Sequence, residues 1–295
     1  MIVVPWQDFV AGKSGIRGPV NLTVGVFDGV HLGHRRLIRA LTEGPARSLV
    51  VTFRQNPEVV LGGGDAPAPI LTLAQKLERL ESLGVDWVVA IDFSEQFSRL
   101  SGKAFVGLLK ENLSIGKIAV GYDSRFGRDR DTDARTLRTL AGTNTSVEVV
   151  EPVYDGEEVI SSSRIRTSIR DAGFGDAGRM LGAPHSLDLT DVPQTEESPA
   201  QSARVIRMRT QDIRQCLPKP GSYPVSSEAE TAAAGLLLVG DEHVELELPR
   251  TSGAPRRRGG GKITHITFQQ ETERSPHYAS DQRNETGNRQ DVRSL

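Results

Sequence analysis

"NLTVGVFDGVHLGHRRLIRAL" (residues 21–41) joins two patterns across one short turn. "NLTVGVF" is an apolar, β-branched run that reads as a buried first strand. "LGHRRLIRAL" sets Leu37, Ile38 and Leu41 on one helical face, with Arg35, Arg36 and Arg39 turned elsewhere. The turn between them carries Asp28, Gly29, His31, Gly33 and His34. In an open parallel sheet such a turn lies at the carboxyl end of a strand, where ligands bind. Gly29 and Gly33 permit a tight turn and close backbone approach to a ligand. The helix start adds unpaired N–H groups and the positive end of a dipole, a phosphate site. Two imidazoles there can donate hydrogen bonds to phosphoryl oxygens as charge builds on them, so the stretch suits phosphate chemistry. Three other readings stay open on these residues alone. HxxH can be part of a zinc site, although no nearby His or Cys completes a ligand set; the string can be packing only; and Asp28 can be a helix-capping acid.

Outward from this stretch, "SLVVTF", "DWVVAIDF", "KIAVGYD" and "VEVVEPV" alternate with the helical patterns "LAQKLERLESLG" and "GKAFVGLLKENL" up to about Pro184. β-rich runs recurring between helices indicate βαβ units and a parallel sheet covered on both faces, hence an α/β fold. "TDVPQTEESPAQSA" reads as a polar linker. "ARVIRMRT", "GLLLVGD", "HVELELP" and "KITHITFQQ" then follow with no convincing helix between them, the pattern of a small antiparallel barrel or sheet. From Glu271 the chain is almost devoid of aliphatic residues and is expected to be disordered. The organisation expected is therefore residues 1–185, 186–270 and a tail of 271–295.

The 295 residues hold 36 Lys and Arg against 38 Asp and Glu, a net charge of −2. That balance argues against nucleic acid as partner and makes any phosphate binding local. No apolar run approaches a membrane span, and "MIVVPWQDF" lacks the plan of a signal peptide, so a cytoplasmic protein without a membrane partner is expected. The single Cys216 excludes an internal disulfide and reads as a small core residue.

A second cluster lies far along the chain. "SSSRIRTSIRDAG" has serines where a helix starts, Ile165 and Ile169 four apart, and Gly173 where it stops. Serine hydroxyls, free N–H groups and Arg164 or Arg166 converge there on a second anion site; an ordinary capped surface helix is the alternative. "GYDSRFGRDRDTD" flanks Phe126 and Gly127 with Asp and Arg, and alone reads as a solvated turn.

"GVFDGVHLGH" resembles the HxGH signature of nucleotidylyltransferases, and its FDGxHxGH form is similar to that of the bacterial bifunctional riboflavin kinase/FAD synthetase family. "VVTFRQNPEVVL", "LTLAQKLERLESLGVDWVVAIDFSEQFSRLSGKAFV", "AVGYDSRFGRDRDTD" and "VISSSRIRTSIRDAGFGDAGRMLGAPHSL" match further family segments in order, so the resemblance covers roughly residues 20–190. It implies a Rossmann-like HxGH nucleotidylyltransferase domain followed by a β-barrel-like domain. The implied activity is transfer of the adenylyl group of ATP to FMN, giving FAD and pyrophosphate, with Mg²⁺ accompanying ATP. His31, His34 and Arg166 take the catalytic places. Gly25, Phe27, Asp28, Gly29, Gly33, Ser162 and Ser163 take the nucleotide-binding ones, and Asn56, Asp123 and Phe126 face the flavin; no protein metal ligand is assigned. Ser124 stands where the family has an aromatic residue, and "FRQNP" puts Asn56 in a histidine position, so the resemblance leaves room for remodelled flavin contacts.

In family members a riboflavin kinase barrel with a PTAN motif and a strand-borne catalytic glutamate follows. Here "PHSLDLTDV" and "CLPKPGSYPV" resemble barrel segments, but the interval between them has no PTAN. Glu245 and Glu247 alternate on a strand in the manner of a solvated face, and "PRRRGGGK" reads as a solubilising loop. The expectation is an FMN adenylyltransferase with a degenerate kinase half. Its rivals are a bifunctional enzyme with an unrecognised kinase site, a nucleotidylyltransferase for another phosphorylated acceptor, and a retired flavin-binding or regulatory protein.

Overall fold

The computed structural model describes residues 1–61, 66–197, 203–227, 234–249 and 262–269. The expected tail of 271–295 and residues 255–261 of the basic loop lie outside the described residues.

The first part alternates strand and helix. In chain order its elements are β1 (Ile2–Pro5), α1 (Trp6–Val10), β2 (Pro19–Val24), α2 (Leu32–Thr42), β3 (Arg47–Phe53), α3 (Pro57–Leu61), α4 (Leu73–Ser82) and β4 (Trp87–Ile91). After these come α5 (Glu95–Ser98), α6 (Gly102–Asn112), β5 (Ser114–Gly121), α7 (Ala134–Ala141) and β6 (Ser146–Val150). A short hairpin, β7 (Tyr154–Asp155) and β8 (Glu158–Val159), leads to α8 (Ser162–Arg170) and α9 (Phe174–Leu181). The six main strands form one parallel sheet in the order β1-β4-β3-β2-β5-β6. β2, expected to open the sheet, is its second strand in sequence. The true first strand, β1, is a four-residue edge strand on β4, half exposed and too short to stand out by pattern.

Central strands carry apolar residues on both faces because helices cover both. Val20, Leu22, Leu49 and Val51 pack on one side, and Val50, Val88 and Ala119 on the other. α2 turns Leu37, Ile38 and Leu41 into the core as its spacing requires. α4 begins with a reciprocal cap, Thr72 Oγ1 accepting from the Gln75 N–H while Gln75 Oε1 accepts from the Thr72 N–H. From β2 the chain runs outward through β3 and β4, then returns to lay β5 on the other side of β2. A crevice therefore opens at the carboxyl ends of β2 and β5, the switch point where open α/β sheets bind ligands.

One expected helix stop is displaced. α8 ends at Arg170 with Asp171 as its C-cap, and Ala172, not Gly173, takes the left-handed conformation (φ 64°), while Gly173 is the N-cap of α9.

The second part is β9 (Ser186–Asp188), β10 (Thr195–Glu197), β11 (Ala203–Arg209), β12 (Gly221–Ser227), β13 (Ala234–Val239), β14 (His243–Pro249) and β15 (His265–Phe268). They form an antiparallel, barrel-like sheet in the order β10-β11-β14-β13-β12-β15-β9. The expected linker around residues 190–203 instead contains β10, an exposed edge strand held to β11 by Glu196–Arg204 and Glu197–Arg207 ion pairs. Its polarity is that of an edge strand facing water.

One apolar cluster runs through both parts. Phe174 of α9 stacks on Phe268 of β15 at 4.2 Å, and His185 stacks on the same ring at 5.4 Å. The Gln215 amide donates to Ile70 O, Gln75 Oε1 and Ser186 O, and the Cys216 N–H donates to Pro69 O. Cys216 is buried, and burial pushes its thiol up, so it is an inert filler.

His185 donates from Nε2 to Cys216 O, and its Nδ1 has no partner among the described residues. Burial pushes it down to about 4. Its folded value lies below the ordinary 6.5, so its contribution is present above pH 6.5 and is lost as pH falls toward 4. At pH 5 the loss is about 2 kcal/mol. Denaturant midpoints at pH 7.5 and pH 5 should show a smaller acid-induced drop in His185→Phe than in the parent chain.

Candidate active site

The backbone at the end of β2 is bent sharply. Phe27 (φ 53°) and Val30 (φ 44°) occupy left-handed conformations costly for residues with a Cβ; Phe27 precedes and Val30 ends a single 3₁₀ turn over Asp28–Val30. Gly29 (φ 86°) lies at the centre, where an added Cβ would be 3.1 Å from Leu181 and 3.2 Å from Ile70. The chain then enters α2 with His31 as N-cap, its Nδ1 accepting from the His34 N–H at 3.3 Å. Accepting at Nδ1 leaves the ring proton on Nε2. His34 stacks on His31 with centroids 3.6 Å apart, and Phe27 meets His34 edge-on at 5.2 Å. Burial pushes His31 down to about 4; burial, with His31 and Lys76 adding to it, pushes His34 well below its ordinary value. At neutral pH the pair is therefore two uncharged imidazoles.

The late motif meets this turn directly. Ser162 Oγ donates to Asp28 O at 2.9 Å, and Arg166 pairs with the Asp28 carboxylate at 2.6 Å, across 134 and 138 residues of sequence. Asp28 also accepts from the N–H groups of Ile70 (2.9 Å) and Leu71 (3.4 Å), and Arg166 donates to Ala68 O. Both ends of the ion pair are buried. Asp28, Arg166 and Ser162, all expected to meet a nucleotide, bond to one another and to backbone groups and clamp the two motifs together. Asp28 is not a helix cap either. Phe27 is 2% exposed, so its side chain supports His34 from within the core.

What faces outward differs from the expected set. Ser161, not Ser162, caps α8, accepting from the Arg164 N–H. Ser163 is exposed at the helix start. Arg164 folds back on Glu158 O and Val159 O and pairs with Asp155 and Glu158. Gly33, beside His31, also lies within 4.0 Å of Ile160 O, measured from an ideal Cβ, so the N-termini of α2 and α8 are neighbours. Their first-turn N–H groups have no intrahelical acceptor.

A cleft of about 620 Å³ opens beside the turn, along the carboxyl ends of β2 to β5. Gly25 and Val26 form one wall, and Phe53, Phe93, Phe97 and Phe126 give it an aromatic lining. Asn56 lines it too, its Oδ1 accepting from the Glu58 N–H. Asp123 is exposed at the turn after β5. Phe126 packs edge-on to Phe105 at 5.8 Å and is bridged by backbone to Thr132. Its loop is latched to α6: Asp131 accepts from the Gly102 N–H at 3.0 Å, and the Arg128 N–H donates to Leu100 O. At Gly127 (φ 82°) an added Cβ would lie 2.3 Å from Asp131 Oδ1 and 2.4 Å from Gly102 N. Only glycine fits there.

Three cations that the motifs did not reveal hold the turn from behind. Arg79 donates to Gly29 O (3.0 Å), Arg35 to Val30 O (3.3 Å), and Lys76 to Val26 O (3.0 Å) and Phe53 O (2.9 Å). Nothing in the sequence of α4 marks its one lysine as buried. The aromatic lining was legible in part, as the phenylalanines of "IDFSEQFSRLSGKAF".

A parallel sheet with a His-x-Gly-His turn at its switch point, clamped to a serine-capped helix, is a Rossmann-like α/β nucleotidyltransferase domain; here a β-barrel-like domain follows it. Residues 15–164, just over half of the chain, match the family model described as FAD synthetase. The chain belongs to the FAD synthetase family. It is 33% identical over 214 residues to the bifunctional riboflavin kinase/FMN adenylyltransferase of Escherichia coli K12, covering 69% of this chain and 66% of that protein. The Bacillus subtilis protein of the same name is 30% identical over 171 residues, 56% of this chain and 54% of its own. The chain thus spans just under two thirds of the first relative's length. A solved Streptococcus pneumoniae structure, described as a macrolide-efflux protein, superposes with a TM-score of 0.72 at 23% identity, covering 91% of this chain and 89% of that one; it shows the fold across both parts. No described helix is long and apolar enough to cross a membrane.

Removing one end of the buried Asp28–Arg166 pair strands the other charge. Asp28→Ala and Arg166→Ala should each lower unfolding stability by about 3–5 kcal/mol, with strong non-additivity in the double variant, read from denaturant unfolding.

Proposed function

We propose that this protein transfers the adenylyl group of ATP to FMN, giving FAD and pyrophosphate. The observation that carries this reading is the clamp between Asp28 and α8, which sets two helix N-termini and an imidazole pair beside an aromatic cleft. Family membership supports the same activity.

In this reading the flavin ring lies between the phenylalanines of the cleft, with its phosphate toward the turn. The triphosphate takes the free N–H groups at the starts of α2 and α8, with Ser163 alongside. A phosphate oxygen of FMN attacks the α-phosphorus of ATP; the new P–O bond forms as the bond to the β-phosphate oxygen breaks, and pyrophosphate leaves with that electron pair. The FMN phosphate has a second pKa of about 6, so it is largely dianionic at neutral pH and needs no general base. The chain's contribution is placement and charge stabilisation. His31, neutral with its proton on Nε2, is a hydrogen-bond donor to the α-phosphate and keeps that role across neutral pH. His34 supports it by stacking and by its backbone bond.

Mg²⁺ accompanies ATP in this reading and would offset charge on the phosphates. Among the described residues no three His, Cys, Asp or Glu side chains gather into a metal site, and the turn's own carboxylate is committed to Arg166. That fits an ion held by phosphate oxygens and water.

We further propose that riboflavin kinase activity is absent. No PTAN segment occurs between β9 and β12, and Glu245 is tied to Arg207 at 2.8 Å.

Chromatography of products separates the possibilities. FMN with ATP should yield FAD and pyrophosphate, while riboflavin with ATP should yield neither FMN nor FAD; a riboflavin product would restore the kinase. His31→Ala should lower kcat for FAD formation by about 10²–10³-fold, the scale of a lost transition-state donor. Gly127→Ala should raise KM for FMN by about tenfold, roughly 1.4 kcal/mol, with KM for ATP nearly unchanged.

A further inference from the structure

Lys76 of α4 is 6% exposed, yet its ammonium touches no carboxylate among the described residues. It donates to Val26 O at 3.0 Å and Phe53 O at 2.9 Å, and lies 3.5 Å from Thr52 Oγ1, which itself donates to Val26 O. All three ammonium protons are thus directed at oxygens from the carboxyl ends of β2 and β3. Val26 and Phe53 both line the aromatic cleft, and Val26 directly precedes the strained Phe27 that braces His34. Two charged or titratable groups face Lys76: Asp28 from the turn, and His34 from α2. Arg166 of α8 holds the Asp28 carboxylate.

Burying an ammonium without a counter-charge is expensive, and a methionine of similar length would fill the same space. The ammonium is the only part of Lys76 that can pull two strand ends together. An uncharged amine has two protons and a lone pair, and the lone pair would face one of the three oxygens.

We propose that Lys76 is a positioning residue for adenylyl transfer, its ammonium fixing the wall of the acceptor cleft relative to the histidine pair. The proposal rests on the activity proposed above. When the ammonium is present, the acceptor's phosphate and His31 keep one relative placement; when it is lost, the Val26 backbone loosens and both shift. Burial, opposed in part by Asp28, pushes Lys76 down to about 8, so this loss falls within an accessible range.

The test is FAD formation from FMN and ATP between pH 6.5 and 9.5 in the parent chain, Lys76→Arg and Lys76→Met, with FMN affinity measured in parallel by flavin fluorescence. Above pH 7 the FMN phosphate is already dianionic and both imidazoles are neutral. The parent kcat/KM should fall above about pH 8, by about tenfold per pH unit, and FMN affinity should weaken with it. Lys76→Arg should stay level to pH 9.5, and Lys76→Met should be about tenfold or more down at pH 7 and level thereafter. Stability separates this from unfolding. The folded value of Lys76 lies below its unfolded value, so its linkage raises stability as pH climbs from about 8 toward about 10.4, the opposite direction to activity. A parent profile and affinity level to pH 9.5, or a folded Lys76→Met within twofold of the parent at pH 7, would overturn the proposal without touching the activity itself. A parent chain that binds FMN with the expected pH dependence but forms no FAD would instead overturn the activity.

Discussion

The buried Asp28–Arg166 ion pair is the contact on which the site depends. It joins a turn near the start of the chain to a helix 138 residues later. Such a pair adds little net stability over apolar packing, because desolvating both charges consumes most of their attraction. Its value is geometric. Asp28 oxygens are filled by Arg166 and two backbone N–H groups, so the turn has one seat on α8 and on residues 70–71. The strained φ values at Phe27 and Val30 persist because the surroundings over-determine them.

Around that clamp the protein manages charge with little exposed polarity. Four cations face backbone carbonyls near the turn: Arg35, Arg79 and Lys76 on the turn itself, and Arg166 on Ala68. They concentrate positive potential at the turn while the net charge of the chain is −2. Desolvation holds His31 and His34 neutral, with His31 and Lys76 adding to it at His34, which suits hydrogen-bond donation to an anion without competing ionisation. The cleft is built differently, from phenylalanines on β3, α5 and the loops after β4 and β5, the last of these loops latched by Asp131 onto the start of α6.

Much of this was legible in order along the chain. The α/β alternation, the helical face of Leu37, Ile38 and Leu41, and Ile165 with Ile169 on α8 followed from periodicity, since burial of one face imposes a repeat that residues must obey. β1 escaped notice because four residues carry no period, and β10 because an exposed edge strand has the composition of a linker. Lys76 and Arg79 escaped because a side chain's reach into the core is not encoded in its own helix.

The sequence by itself determined that two helix starts carry clusters of small and polar residues, that one holds an imidazole pair, and that a parallel sheet presents the first at a strand end. Those are local consequences of glycine, histidine, serine and apolar spacing. Only the tertiary structure decided how the clamp residues are used. Arg166, Ser162 and Asp28 look from their motifs like ligand-binding groups, but folding brings them within 3 Å of one another's atoms, and a buried charge bonds to the partner that folding supplies. Which polar groups remain to meet a substrate is thus settled by long-range packing, because local pattern carries no information about a partner more than 130 residues away.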